Sequence, residues 1–423
     1  MKILIINYRF FVSGGPERYL FNIMDILSKN GHVVIPFSVK HNQNVYSPYE
    51  EKYFLDPIGT GNETFGHEYK RNFRTIIKVF ARMVYSFEAK KKLKQLIKDE
   101  KPDLVYVLQF QNKLSCSVID AAFEMNVPIV QRISDFGHIC IDNIFYHYQT
   151  NKICEKCLKG SKLNAVLQKC SNNSLINSLI KVLALKVHDL LNIRKKISGY
   201  VIPARFTVNK FIEFGVPENI IYNIPTFFNP KNKEINPTYT NTFLYIGRVD
   251  PDKGLRTLIE AFVGTPYKLI IIGFSVDGYD ELLKDYLVGK QHNIIFTGKL
   301  NFNEMIPYLE SCLCTICPSE WYDNFPNSVL ESYAYKKPVI ASNIGSLKEL
   351  ISNNYTGLHF EPRNVDSLRN CVKNMYENKE KAKLMGENGN KRLIEEYSSD
   401  LHYNRLMSVF EETVKNYNSS SFK

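Results

Sequence analysis

At 423 residues the chain is too long for one ordinary core, and its 44% hydrophobic content is ample for two domains of about 200 residues each. No window approaches the roughly 18 uninterrupted apolar residues of a membrane-spanning helix, and "MKILIINYRFF" runs into a Gly-Gly turn with no small-residue cleavage site, so a soluble, unexported, cytoplasmic protein with nine reduced cysteines is expected. The formal charge of +11 calls for an anionic partner, but without histidine-bearing zinc-finger spacing or RNA-recognition aromatics a nucleic acid ranks last.

The chain opens with a strand at Ile3 to Ile6, a turn at Gly14 and Gly15, and a helix that Pro16 and Glu17 start and Gly31 ends. Residues 70–101 follow, with eleven Lys or Arg against three acids, a net of +8. Within them Phe73, Ile76, Ile77, Phe80, Met83 and Val84 recur at helical spacing, while Arg71, Arg74, Lys78 and Arg82 fall mostly off that face. Two readings stand: a basic amphipathic helix on anionic lipid, or a core-packed helix with a solvated basic back. "SLINSLIKVLALKVHDLLNIRKK" is a second amphipathic stretch.

"DLVYVLQ" and "PIVQRIS" are strands flanking a helix near residues 115–125, and this alternation implies a parallel sheet covered by helices. "NPKNKEINPTYTN", residues 229–241, reads as a linker, and beyond it strand–helix alternation restarts. The expected organisation is an N-terminal domain over 1–228, the linker 229–241, and a second domain over 242–400. A helix at about 401–423 returns to the first domain.

Two loops carry the chemistry. In "GRVDPDKGL" Arg248 and Lys253 follow a strand and precede a helix, where two cations suit a pyrophosphate. Taken alone, such a pair is more often ordinary surface. In "PSEWYDNFPNSVLES" a loop leads to Pro326 and a helix whose first backbone N–H groups, near Asn327, Ser328 and Val329, can receive phosphate. Glu331 lies further into that helix, within reach of ribose hydroxyls. Its bland reading is a solvated helix residue, and that of Trp321 is packing.

Together these motifs resemble the retaining glycosyltransferases of family 4, group 1 glycosyl transferases of the GT-B fold, in which two Rossmann-like α/β domains face each other across a cleft. The resemblance rests on Gly14, Gly15, Glu17 and Arg18, then Arg248 and Lys253, then Asp323 and Glu331. It implies that Arg248 and Lys253 hold the donor pyrophosphate, Glu331 the ribose, and Asp323 with Asn324 and Phe325 the transferred sugar. Ser328 and Val329 border the phosphates, Lys299 and Leu300 meet the base, and the Gly14-Gly15 turn faces phosphate or acceptor. Glu17, Ser134, Asp135 and His138 are candidate sugar or acceptor contacts. Glu320, outside the matching positions, reads as a loop charge.

Two departures mark this chain: Asp323 where the family usually has Glu, and Ser134-Asp135 where a His-Asp pair is common, with His138 nearby. The implied activity is transfer of a sugar, with retention, from a nucleotide-diphosphate sugar to a lipid-linked saccharide acceptor in surface polysaccharide or lipopolysaccharide synthesis. It would take place at the inner face of the membrane and require no cofactor. The alternative is a non-catalytic nucleotide-sugar-binding protein. Separately, Cys140, Cys154, Cys157 and Cys170 are spaced as C-x13-C-x2-C-x12-C, which fits either a structural zinc site or buried free thiols.

Overall fold

The computed structural model describes residues 1–63, 68, 69, 72–111, 113–229, 235 and 237–420. Lys70 and Arg71 of the basic stretch, residues 230–234 and 236 of the expected linker, and the terminal 421–423 lie outside the described residues.

The strands, in chain order, are β1 Lys2–Asn7, β2 Val33–Phe37, β3 Leu104–Gln109, β4 Ile129–Arg132, the short pair β5 Tyr146–His147 and β6 Lys152–Ile153, β7 Gly199–Ile202, β8 Ile221–Asn223, β9 Thr242–Ile246, β10 Lys268–Ile272, β11 Ile294–Gly298, β12 Cys314–Cys317, β13 Val339–Ser342 and β14 Gly357–Phe360. They form two six-stranded sheets, ordered β2-β1-β3-β4-β7-β8 and β11-β10-β9-β12-β13-β14. Every pairing recorded within these two sheets is parallel. Central strands such as β3 and β12 are buried along almost their whole length because helices cover both faces of a parallel sheet.

Each sheet has one apolar cluster per face. The first sheet packs Leu4, Ile6, Val105 and Val107 on one side and Ile3, Ile5, Leu104 and Tyr106 on the other. The second side is completed by Leu406, Met407, Val409 and Phe410 of the terminal helix Ser399–Ser420, so the chain's end seals the N-terminal core. Within that seal Tyr19 Oη hydrogen bonds Tyr106 Oη at 2.9 Å and His402 Nε2 at 2.9 Å.

The basic stretch forms two helices. Phe73–Val84 ends at Tyr85, and Phe87–Glu100 starts afresh because the Ser86 side chain accepts from the Ala89 N–H. The first helix leaves its apolar face exposed, with Phe73, Ile76 and Ile77 at 78%, 57% and 50%, and it packs beside the helix Leu175–Leu190. That second helix exposes Leu175, Ile176, Leu179, Leu183 and Leu190 along one side.

Strand order determines where ligands can sit. In each sheet the order reverses next to the strand that opens the domain: between β1 and β3 in the first, and between β9 and β12 in the second. At such a point the loops leaving the two strands diverge to opposite faces and open a crevice at the strands' carboxyl ends.

Candidate active site

The crevice of the second sheet holds the residues singled out above. Arg248 and Lys253 lie on the loop after β9, and Asp323 on the loop after β12. Lys253 Nζ contacts Asp323 Oδ1 at 2.7 Å, with side chains 15% and 8% exposed. The Ser319 hydroxyl donates to Asp323 Oδ2, and Ser346 Oγ donates to the Asp323 carbonyl at 2.6 Å. Arg248 pairs with Asp250 and, at 3.0 Å, with Asp252. In this state both cations are charge-matched by carboxylates of their own domain, an arrangement in which an incoming anion competes with existing partners.

The loops can meet only because Gly254 sits at φ +70, where a Cβ would fall 1.9 Å from the Pro318 carbonyl oxygen. Trp321 is part of this assembly: Lys253 Nζ lies 4.7 Å from its ring centroid, and its buried indole Nε1 has no hydrogen-bond partner among the described residues.

The helix Asn327–Ala334 follows Pro326 and has no side-chain cap. Val329 is fully buried, so only its backbone can face a ligand, while Ser328 is half-buried at the first turn. Glu331 is 1% exposed, and the Arg18 guanidinium, from the helix Gly15–Lys29 of the other domain, reaches its Oε1 at 2.6 Å. Glu331 is therefore a buried carboxylate with an interdomain cation rather than a solvated helix residue. The Gly14-Gly15 turn abuts the same helix, since a Cβ on Gly15 would stand 3.0 Å from Asn327 Nδ2.

Asn324 faces the N-terminal domain, accepting from Thr207 Oγ1 at 2.6 Å and donating to the Ile133 carbonyl at 2.9 Å. Phe325 turns back toward Tyr397, 5.8 Å between ring centroids. Lys299 and Leu300 lie just after β11; Lys299 is exposed, 5.3 Å from the Phe274 ring centroid, and Leu300 packs on the core of its own domain. These two stand on the outer strand, apart from the Lys253–Asp323 pair.

Ser134, Asp135 and His138 share a second cleft with Gln131 and Arg132 at the carboxyl ends of β3 and β4. Asp135 accepts from the Gly137 N–H at 2.9 Å, and burial lifts its carboxyl to about 6. His138 is 6% exposed, its Nε2 bonded to Gln131 Oε1 at 3.0 Å, and burial pushes its imidazole down to about 3. It is a neutral, packed histidine. Glu17 is buried, pairing with Arg9 at 3.7 Å and accepting from Ser13 at 3.1 Å. Glu320 is no loose loop charge: it pairs with Arg363 at 2.9 Å and accepts from Thr257 at 2.7 Å.

The four cysteines fall in one small subdomain around the β5–β6 pair, where Cys157 and Cys170 belong to one apolar cluster. Burial raises Cys157 to about 11, with the Cys140 and Cys154 thiols adding to it, and Cys170 to about 12, with Asp142 and the other three thiols adding to it. Among the described residues no group of three or more His, Cys, Asp or Glu side chains is arranged to hold a metal ion. The thiols are nevertheless near enough to one another that Cys140, Cys154 and Cys157 all act electrostatically on Cys170.

Sequence reasoning did not assign roles to Arg18, Asp250, Asp252 and Thr207. Arg18 was visible beside the Gly-Gly turn, and the two aspartates stand within the "GRVDPDK" loop. Nothing local marks Thr207.

This architecture is the GT-B fold: the whole chain superposes on the UDP complex of HepE from Anabaena with a TM-score of 0.62, at 15% identity over 99% of this chain and 100% of that one. Residues 228–392 match the family model "Glycosyl transferases group 1". The chain is 28% identical over 284 residues to an uncharacterized glycosyltransferase of Methanocaldococcus jannaschii, covering 64% of this chain and 76% of the relative. It is 25% identical over 241 residues to the lipopolysaccharide 1,2-N-acetylglucosaminetransferase of Salmonella typhimurium, covering 51% and 62%. The fold is thus that of the GT-B glycosyltransferases, and residues 228–392 carry the similarity to the group 1 family model.

Proposed function

We propose that the protein is a retaining glycosyltransferase of family 4 that transfers a sugar from a nucleotide-diphosphate sugar to a lipid-linked saccharide in surface polysaccharide or lipopolysaccharide synthesis. The observation that carries the reading is the convergence of Arg248, Lys253 and Asp323 on two loops at the strand-order reversal of the second sheet, with Glu331 one helix further on. A UDP-bound fold relative supports a nucleotide donor, and the Salmonella relative supports a lipopolysaccharide role.

In this reading Arg248 and Lys253 leave their carboxylate partners for the donor diphosphate and stabilise the charge that develops as it departs. Backbone N–H groups at the start of the helix Asn327–Ala334 add to that field. Asp323, released from Lys253, orients the transferred sugar with the backbone of Asn324 and Phe325, and Glu331 takes the ribose hydroxyls. The acceptor hydroxyl attacks on the face from which the diphosphate leaves, a leaving phosphate oxygen receives its proton, and the two domains supply positioning. Two fixed cations meet the charge requirement of this step, so the proposal invokes no metal.

The membrane half of the reading is supported by the exposed apolar sides of the adjacent helices Phe73–Val84 and Leu175–Leu190, in a stretch rich in lysine and arginine. Among the described residues no helix is long and apolar enough to cross a bilayer, so contact would be peripheral. A structural zinc on Cys140, Cys154, Cys157 and Cys170 is a separate proposal resting on spacing alone, and zinc content with and without Cys154→Ser and Cys157→Ser decides it.

The functional test is thermal unfolding with a panel of nucleotide sugars, since a cognate donor raises the midpoint by mass action. A shift abolished by R248A and K253A, together with turnover on a lipid-linked saccharide, supports the enzyme. A shift without turnover on any acceptor favours a non-catalytic nucleotide-sugar-binding protein. No shift with any nucleotide sugar refutes both.

A further inference from the structure

The strand-order reversal of the first sheet, between β1 and β3, opens a second crevice that the donor chemistry does not use. It is a narrow open cleft whose lining includes Tyr8, Arg9, Lys40, Arg82 and Lys113, with Glu63 the single carboxylate lining it among the described residues. Three of these cations are already engaged, Arg9 with Glu17 at 3.7 Å among them. Lys40 meets Asp56 at 3.2 Å and Glu51 at 3.5 Å, and Arg82 Nη2 meets Glu88 at 2.8 Å and the Asp56 carbonyl at 2.7 Å.

Two donor groups are not so engaged. Arg82 is 4% exposed, and its Nη1 is buried with no hydrogen-bond partner among the described residues. Lys113 Nζ has no ion pair among the described residues and lies 5.9 Å from the ring centroids of both Tyr8 and Tyr69. Burial, with the Arg9 charge adding to it and Glu68 and Glu63 opposing it, brings the Lys113 ammonium down to about 8. A buried guanidinium nitrogen left unpaired beside an unpaired ammonium is costly unless an anion completes it.

We infer that this cleft takes the acceptor through an anionic group, a phosphate or a uronate carboxylate, bound by Arg82 Nη1 and Lys113 Nζ. The inference rests on the N-terminal domain being the acceptor side of the proposed glycosyltransferase. The placement of Arg82 favours a phosphate. It lies about 180° round its helix from Phe73, opposite the exposed face formed by Phe73, Ile76, Ile77 and Phe80. A bilayer against that face would lie about 10 Å, one helix diameter, from the cleft. A sugar phosphate projecting from the membrane on its lipid spans such a gap.

The test is calorimetric titration of the full chain carrying R248A and K253A, which removes the donor-side anion site. The probes are pyrophosphate, glucuronate and, as the neutral control, glucose. The expected result is binding of at least one anion and not of glucose, weakened at least tenfold by Lys113→Gln and restored by Lys113→Arg, with unfolding midpoints unchanged. Pyrophosphate alone assigns a phosphate-linked acceptor, glucuronate alone an acidic sugar. Absence of anion binding, or binding indifferent to Lys113→Gln, overturns the inference. Nucleotide-sugar protection of the unmutated protein is measured in parallel: its persistence leaves the donor reading standing when the anion cleft fails, and its loss with anion binding intact shows the reverse.

Discussion

Arg18 Nη1 and Glu331 Oε1 stand 2.6 Å apart although 313 positions separate them in the chain, and they join the first helix of one domain to the helix Asn327–Ala334 of the other. Glu331 is almost wholly buried while Arg18 is a third exposed, so the N-terminal domain supplies the counter-charge that a buried carboxylate requires. If Glu331 takes the donor ribose, donor binding and this interdomain bond draw on the same oxygens.

Arg18→Met is therefore expected to destabilise the donor-free protein by about 1–3 kcal/mol, the cost of leaving a buried acceptor unpaired. With saturating donor the deficit should shrink, because the ribose then occupies Glu331. Thermal unfolding with and without nucleotide sugar reads both values. An equal deficit in the two conditions would mean that Arg18 is a structural strut.

The Lys253–Asp323 pair separates binding from chemistry. Lys253→Ala should lower turnover by about 10²–10³-fold, more than it weakens donor affinity, because the ammonium acts on charge that grows as the diphosphate departs. Asp323→Ala and Asp323→Glu should each reduce transfer at least about tenfold, the first by losing orientation of the sugar and the second by pushing a longer carboxylate against Lys253 and Ser319. Steady-state kinetics that leave both Asp323 variants unaltered would remove Asp323 from the site.

Acid stability should be governed by buried histidines. Burial depresses His138 to about 3, His188 to about 4 and His402 to about 3. Between those values and the ordinary histidine range near 6.5 the unfolded chain binds more protons than the folded one. Stability from these groups is thus complete above about 6.5 and lost as pH falls through the window, by up to about 1.4 kcal/mol per pH unit for each histidine. Asp135, raised to about 6, works in the opposite sense, favouring the fold below that value. Unfolding midpoints from pH 7.5 to 4.5 should fall, and His138→Gln should flatten the fall.

Membrane docking is tested on the exposed apolar faces. Phe73→Glu, Ile77→Glu and Leu179→Glu change surface side chains, so thermal stability should hold to within about 0.5 kcal/mol. Co-sedimentation with vesicles containing anionic lipid should drop at least about tenfold on the apolar changes, and binding of the unmutated protein should weaken with salt. Equal binding by neutral and anionic vesicles at all salt concentrations would remove the electrostatic part.

The parallel sheets were legible because their strands are short, continuous apolar runs set between helical stretches, a pattern that survives without knowledge of neighbours. The loop after β9 was legible for a local reason too: Arg248 and Lys253 follow a strand directly, and Gly254 meets a backbone constraint that only glycine satisfies. The basic stretch was half legible. Its apolar spacing showed, but the break at Ser86 that makes two helices, and the open face of the first, depend on what packs beside it.

Charge pairing belongs to the tertiary structure alone. From sequence Glu320 looked like a loop charge, and only the fold brings Arg363 and Thr257 to it. His138 followed an Asp in a promising loop, yet its burial against Gln131 makes it a neutral packing group. The four cysteines had a metal-like spacing, and only the fold shows that Cys140, Cys154 and Cys157 all lie near enough to Cys170 to act on it. By itself, then, the sequence determined two parallel α/β domains and the two loops that carry cations and carboxylates, because apolar periodicity and backbone constraint are local. Which charges face one another across the domains, and which cations stay open to an anion, only the tertiary structure decided, because electrostatic pairing depends on distances between residues hundreds of positions apart.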